Sequence, residues 1–457
     1  MEGSGNVPPD ILPVSGTSWR GVDLPAFFYL LTMLACYPLA YISRTYLHGQ
    51  PSSVKHAYFI LCGLILMFAN FGYGVIHSAI SVLANYALLV TVGGSQLSVV
   101  LSFIFNMAYL LIAYVLLSTD GYDLIWTTPH CILTVKMAGT AFDLYDGHKK
   151  EEVLSLEQKK LNIKRAPSLL ELAGYTYFIG GCFAAPIFSI RPYLEFTEGK
   201  LADNDRALPP DCIRPALGRL GVGCVYLVLY TLLSPVFSNA YLMSPEFASL
   251  SFLSQMFVVM CWGKVAISKY SVIFLFTEGV CIMSGFGYNG RDKNGNVLWD
   301  RCISYKPMQF ELATTCRELV KSFNISTNTW VSRYVYKRLK FLNNRNVSQL
   351  AALLFLAVWH GFYVGYYVGF LQEFVVFFIE AKVVEISQRY PPLARAAEVP
   401  PIKVFLWVCF KAWNLFVMSF ALVPFVLLRW RRTRLVSPNG LSIRHCHWER
   451  PQYHTQL

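Results

Sequence analysis

Charge is scarce in this chain. Asp, Glu, Lys and Arg make up 14% of its 457 residues, where a soluble domain carries about 25%. With 55% hydrophobic residues, that deficit excludes an ordinary soluble enzyme and implies a polytopic membrane protein. A basic-then-apolar signal pattern is missing from the N-terminus, so residues 1–24 read as a short disordered tail and the first span directs its own insertion. Long polar regions are missing too, which leaves one membrane-embedded domain over 25–430 and a polar C-terminal tail over 431–457. No internal repeat marks the two halves of a transporter. The twelve cysteines include no CxxC pair and sit mostly in apolar segments, so they read as packing residues and not as a disulfide or metal framework. His445-Cys446-His447 lies in the polar tail without a partner cluster, and no metal is expected there.

Apolar segments are abundant. They recur near 25–43, 57–69, 72–93, 97–117, 129–146, 168–190, 217–237, 248–267, 270–285, 348–383 and 402–428. The reading is an all-α bundle of about ten or eleven membrane helices, some broken or re-entrant. The formal net charge is +12, concentrated in basic stretches at 148–165, 333–345 and 429–434. Cytoplasmic loops of membrane proteins collect Lys and Arg, and the same charge attracts anionic headgroups or phosphorylated substrates. Nucleic acid is not an expected partner.

One histidine lies deep in an apolar run. His360, followed by Gly361, is near the middle of 349–380, and a titratable side chain at that depth is a functional hypothesis by default. Neutral imidazole suits the role of general base. Asn324, 36 residues upstream, offers an uncharged double donor for a substrate or a developing oxyanion. It also opens the sequon Asn324-Ile325-Ser326, whose other reading is glycosylation. The basic run after Trp330 offers Arg333, Lys337, Arg338 and Lys340 to phosphates, with Tyr334 or Tyr336 beside them; positive-inside loop charge is the competing reading. Tyr363, Tyr366 and Tyr367 follow His360 by three, six and seven residues, so two of them fall near its face on a continuous helix. Glu278 sits within FLFTEGVCIMSG, where a carboxylate pairs or lines a polar cavity. Lys136 and Lys264 are similarly placed, His77 and His130 read as packing or locally bonded groups, and Asp143 and Asp146 as the interface end of a helix.

The string WHGFYVGY at 359–366 resembles the WHGxxxGY motif of the membrane-bound O-acyltransferase family, and Trp299-Asp300 resembles the WD motif of its lysophospholipid branch. The segments 127–147, 167–181, 269–290 and 323–344 are also similar to that branch, so the resemblance runs from about 57 to 383. It implies a helical bundle around a reaction chamber in the endoplasmic reticulum membrane. The implied reaction transfers a fatty acyl group, expected to be polyunsaturated, from acyl-CoA to the sn-2 hydroxyl of lysophosphatidylcholine and related lysophospholipids. His360 would be the base and Asn324 its partner. Arg333, Tyr334, Lys337, Arg338 and Lys340 would contact acyl-CoA, and Trp330, Trp359, Tyr363 and Glu278 would line the chamber. Acyl-CoA is a co-substrate, so no cofactor is expected; other partners are membrane lipids and a second copy in a homo-oligomer. Other branches acylating lysophosphatidylinositol or a protein, and a multi-pass transporter, are the alternatives.

Overall fold

The computed structural model describes residues 18–19, 22–117, 124–201, 211–390 and 399–436. The tails expected at 1–24 and 431–457 lie mostly outside these residues, as does His445-Cys446-His447. A two-residue strand pair, Ser18–Trp19 with Val22–Asp23, precedes the helices.

The first four helices are α1 (Leu24–Tyr46), α2 (Ser52–Phe71), α3 (Val75–Val92) and α4 (Gln96–Leu116). Gly72–Gly74 forms the 3₁₀ turn between α2 and α3. Next come α5 (Thr127–Gly147), the short helices α6 (Leu156–Leu161), α7 (Leu169–Tyr177) and α8 (Ile190–Thr197), and α9 (Ile213–Leu233). Two single turns, α10 (Asn239–Leu242) and α11 (Pro245–Ser249), lead into the 33-residue α12 (Phe252–Ser284). The site-bearing helices follow: α13 (Pro307–Leu312), α14 (Cys316–Ser322), α15 (Ile325–Tyr334), α16 (Arg345–His360) and α17 (Val364–Arg389). The described chain ends with α18 (Pro400–Leu427) and α19 (Trp430–Leu435).

Among the described residues six helical stretches are long and apolar enough to cross a membrane: Leu24–Tyr46, Ser52–Val92, Gln96–Leu116, Ile213–Leu233, Phe252–Ser284 and Pro400–Leu427. The expectation of ten or eleven also counted shorter and more polar segments. Several of those differ in form. The runs 248–267 and 270–285 are one helix, α12, because Lys269 and its neighbours do not interrupt the backbone ladder. The run 168–190 is only the nine-residue α7 followed by irregular chain. The run 348–383 is broken after His360.

Apolar side chains on α2, α4 and α9 point outward, among them Leu61, Ile65, Ile104, Val115, Val225 and Leu232. In water that pattern would be a liability; in a bilayer it is the lipid-facing surface, since helices satisfy their own backbone. By contrast α5 and the C-terminal half of α12 are buried nearly all round. One core joins α1, α2, α7, α8 and α12 through interlocking rings such as Phe59, Phe178, Tyr193 and Phe286. A second joins α4, α5, α15 and α16 through Leu110, Val135, Trp330, Leu353 and Trp359. The site grows from this second core.

Candidate active site

His360 is the last residue of α16. Its Nδ1 lies 2.7 Å from the Leu356 carbonyl oxygen, one turn back. A carbonyl only accepts, so Nδ1 carries the proton and the ring presents a lone pair on Nε2. Among the described residues Nε2 has no hydrogen-bond partner. Trp359, Tyr366, Phe370 and Phe425 surround the ring at centroid distances of 4.7 to 5.5 Å. The arrangement is a neutral imidazole fixed in the basic tautomer within an aromatic cup.

The residues around it explain why the motif has its form. Gly361 has φ +125°, a backbone region that side chains rarely enter, and there the helix stops. The Trp359 indole N–H donates to the Cys131 carbonyl at 2.9 Å, tying the end of α16 to α5. Gly365 abuts the Pro424 carbonyl so closely that a Cβ would collide with it, and its N–H donates to the Leu428 carbonyl at 2.8 Å. Gly369, one turn on, faces the Ala421 carbonyl. These two glycines bring α17 onto α18, the small-xxx-small contact of membrane helices, and α18 delivers Phe425 to the histidine.

The helix break corrects the reading of the tyrosines. Tyr366 meets His360 across the break, not along a continuous helix face, and Tyr363 packs on Tyr366 with centroids 6.1 Å apart.

Asn324 starts α15 in the left-handed conformation, φ 50° and ψ 40°, without capping the helix through its side chain. Asparagine tolerates this region better than most residues. The chain on both sides of it is pinned. Lys306 N–H donates to the Ser322 carbonyl at 2.8 Å, and Ile325 N–H donates to the Ser304 carbonyl at 2.9 Å. Ser326 is buried and its hydroxyl lies 3.1 Å from that of Ser304, so the sequon is folded into the protein. Asn324 and His360 share no direct hydrogen bond. Trp330, between them in chain order, stacks on Phe355 of α16 at 5.5 Å.

Glu278, expected to line the chamber, holds backbone. One carboxylate oxygen accepts from the N–H groups of Ser304 and Tyr305 at 2.6 and 2.7 Å, and the other lies 3.4 Å from Arg219 Nε. Trp299 packs edge-on against Tyr288, and Asp300 accepts from Asn289. The WD pair thus shapes the hairpin that leads into Ser304.

Three of the four cations expected to meet phosphates are already paired. Arg333 and Lys337 both bind Glu157, at 2.9 and 2.5 Å. Arg338 grips Asp146 with two nitrogens at 2.8 and 2.5 Å, and Asp146 is buried. Tyr334 donates to Asp143 at 2.7 Å and lies 2.9 Å from the Ser189 hydroxyl. Lys340 is exposed. Partial burial opposes ionisation of Glu157, but the hydrogen bond from Lys337 and the charge of Arg333 outweigh it and hold the carboxyl below its usual range. His77 and His130 are locally bonded as expected, to Tyr109 and Ser81. Among the described residues no group of three His, Cys, Asp or Glu could hold a metal.

Sequence reasoning missed Arg219, Ser304, Phe370 and Phe425. The Gly365/Gly369 spacing was a signal for the close α17–α18 contact; nothing local pointed to Arg219 or Ser304.

An imidazole with an open Nε2 at the break between α16 and α17, in a chain with six helical stretches able to cross a membrane, fits a membrane-embedded transferase. The chain belongs to the membrane-bound O-acyltransferase family, whose model matches residues 110–423. It is 38% identical over 410 residues to lysophospholipid acyltransferase 5 of Mus musculus, covering 90% of this chain and 84% of that protein. The Drosophila melanogaster protein of the same name is 37% identical over 417 residues, 90% and 83% of the two chains. The lysophospholipid acyltransferase of Schizosaccharomyces pombe is 30% identical over 271 residues, 58% and 52%.

Proposed function

We propose that this protein is a lysophospholipid acyltransferase that moves a fatty acyl group, polyunsaturated by preference, from acyl-CoA to the sn-2 hydroxyl of lysophosphatidylcholine and related lysophospholipids. Similarity along 90% of the chain to proteins named for lysophospholipid acylation supports the reaction class. The observation that carries the mechanism is the His360 Nδ1–Leu356 hydrogen bond. It fixes the tautomer that leaves Nε2 able to take a proton.

The lysolipid hydroxyl is a poor nucleophile until its proton is removed during attack on the thioester. His360 Nε2 accepts that proton, the new ester bond forms as the C–S bond breaks, and the proton returns to the departing CoA thiolate. The Asn324 amide donates to the oxygen that becomes negative in the tetrahedral intermediate. The aromatic cup keeps water from the thioester. Arg333, Lys337 and Lys340 meet the phosphates of acyl-CoA, the first two by exchanging Glu157 for phosphate. The endoplasmic reticulum membrane is the proposed residence.

The test is purified protein with labelled polyunsaturated acyl-CoA and a panel of lysophospholipids, with His360→Ala as control. Labelled diacyl phospholipid from the native protein alone supports the reading; product from neither protein, or equally from both, overturns it.

A further inference from the structure

We infer that Glu278 is a positioning residue for Asn324, acting through the main chain of Ser304 and Tyr305. The inference rests on the reading of Asn324 as the group that binds the developing oxyanion.

Three observations carry it. First, Asn324 is not held by its own side chain: it does not cap α15, and its amide makes no hydrogen bond among the described residues. The backbone therefore sets the direction in which the side chain leaves the main chain, and with it the space the amide can reach. Second, that backbone leans on the segment 304–306, through Ile325 N–H to the Ser304 carbonyl, Lys306 N–H to the Ser322 carbonyl, and the Ser304–Ser326 hydroxyl contact. Third, the segment itself is not braced by a sheet. Tyr305 pairs with Phe323 only as an isolated bridge, and the outward N–H groups of Ser304 and Tyr305 both end on one oxygen of Glu278. The carboxylate stands where a further strand would supply acceptors.

Glu278 is fixed in turn. It is 2% exposed, it projects from the buried half of α12, and its second oxygen faces Arg219 on α9. The chain of contacts runs from α9 through Arg219 and Glu278 to Ser304, and from Ser304 to the residue that follows Asn324. A carboxylate also suits the position electrically, because two N–H dipoles and a guanidinium converge on it.

The experiment is steady-state kinetics of the full-length protein in nanodiscs, with Glu278→Ala, Glu278→Asp, Glu278→Gln, Asn324→Ala and the Glu278→Ala/Asn324→Ala double variant. Displacement of a positioned group by about 1 Å costs on the order of 10²-fold. Glu278→Ala is expected to lose kcat on that scale with the KM for acyl-CoA unchanged. Glu278→Asp keeps the charge but withdraws the oxygen by one methylene, and also loses kcat. Glu278→Gln keeps an oxygen able to accept both N–H groups and recovers most of the activity. In the Asn324→Ala background Glu278→Ala costs nothing further, because the amide it positions is already gone. If Glu278→Ala does not fold, the Asp and Gln variants decide.

Losses that multiply in the double variant, or a Gln variant as slow as the Asp variant, overturn the positioning role and leave the reading of Asn324 standing. Native kcat in Asn324→Ala overturns that reading and this inference together.

Discussion

At the end of α16 the imidazole of His360 is held through its own side chain, by one hydrogen bond and four rings. At the start of α15 it is the main chain of Asn324 that is held, and the amide makes no hydrogen bond among the described residues. The histidine side is apolar and assembled from α16, α17 and α18. The asparagine side is a mesh of backbone hydrogen bonds hung from α12. The difference matches the two roles proposed above. A base needs a fixed tautomer and a dry surround, and both come from packing. An oxyanion donor needs a fixed direction with free N–H groups, so anything that held the amide directly would consume its function.

Removing the imidazole breaks the first side outright. His360→Ala should lower kcat by about 10²–10⁴-fold, the usual contribution of general-base catalysis. The ring is only half-buried, so the thermal transition of the purified protein should stay near the native one. Native turnover in a correctly inserted His360→Ala would end the assignment.

On the second side, Asn324→Ala should cost about 10²–10³-fold in kcat, the scale of one lost oxyanion donor. Asn324→Gly separates direction from strain. It removes the amide but keeps the left-handed backbone at no steric penalty, so its kcat should match the alanine variant while its melting temperature exceeds it. A glycine variant with restored kcat would mean that the backbone, not the amide, matters here.

Much of this was legible in the residues, and the losses have identifiable causes. The long apolar runs announced the membrane helices, and His360 stood out because a polar ring in such a run is costly. The break at Gly361 was hidden, because Phe362, Tyr363 and Val364 continue the apolar pattern through a turn that only backbone angles reveal. Glu278 was noticed, but its partners were not. Its partners are main-chain N–H groups 26 and 27 residues away, and main chain carries no signature in side-chain type. The basic run was read as available charge, while Glu157 and Asp146, which neutralise it, sit more than 170 residues upstream.

A subtler way to disturb the histidine side leaves its ring intact. Gly361→Ala puts a Cβ at φ +125°, a strain of about 1–3 kcal/mol, and the residue relieves it by turning the end of α16. Because the tautomer depends on the Leu356 carbonyl one turn back, kcat should fall by about 10-fold or more while the KM for lysolipid changes little. Gly365→Ala instead forces α17 off Pro424 and Leu428, and should lower the melting temperature as well as kcat. Equal thermal losses in the two variants would show that Gly361 serves packing, not the direction of the ring.

The smallest expected effect tests whether the paired cations are structural or catalytic. Glu157→Gln releases Arg333 and Lys337 from their shared carboxylate. A partly exposed pair contributes about 0.2–1 kcal/mol, so stability should change little. The sign of its pH dependence is fixed by the depressed Glu157 value: the contribution is present above the ordinary 4.5 and fades as pH falls through the lower folded-state value. At neutral pH the native protein therefore keeps both cations occupied, and on the proposed binding mode acyl-CoA displaces a carboxylate to reach them. Glu157→Gln removes that competitor and should lower the KM for acyl-CoA by a few-fold, within the roughly 5-fold that 1 kcal/mol corresponds to, with kcat and the lysolipid KM unchanged. Arg338→Ala is the contrast. Its bidentate partner Asp146 is buried and keeps, among the described residues, only Gln158 and, at 3.7 Å, Lys149, so loss of the guanidinium should cost about 1–3 kcal/mol of stability, read as a lowered melting temperature. An unchanged acyl-CoA KM in Glu157→Gln, beside a destabilised Arg338→Ala, would make the whole basic run a clamp between α5, α6 and α15 and move the phosphate site elsewhere.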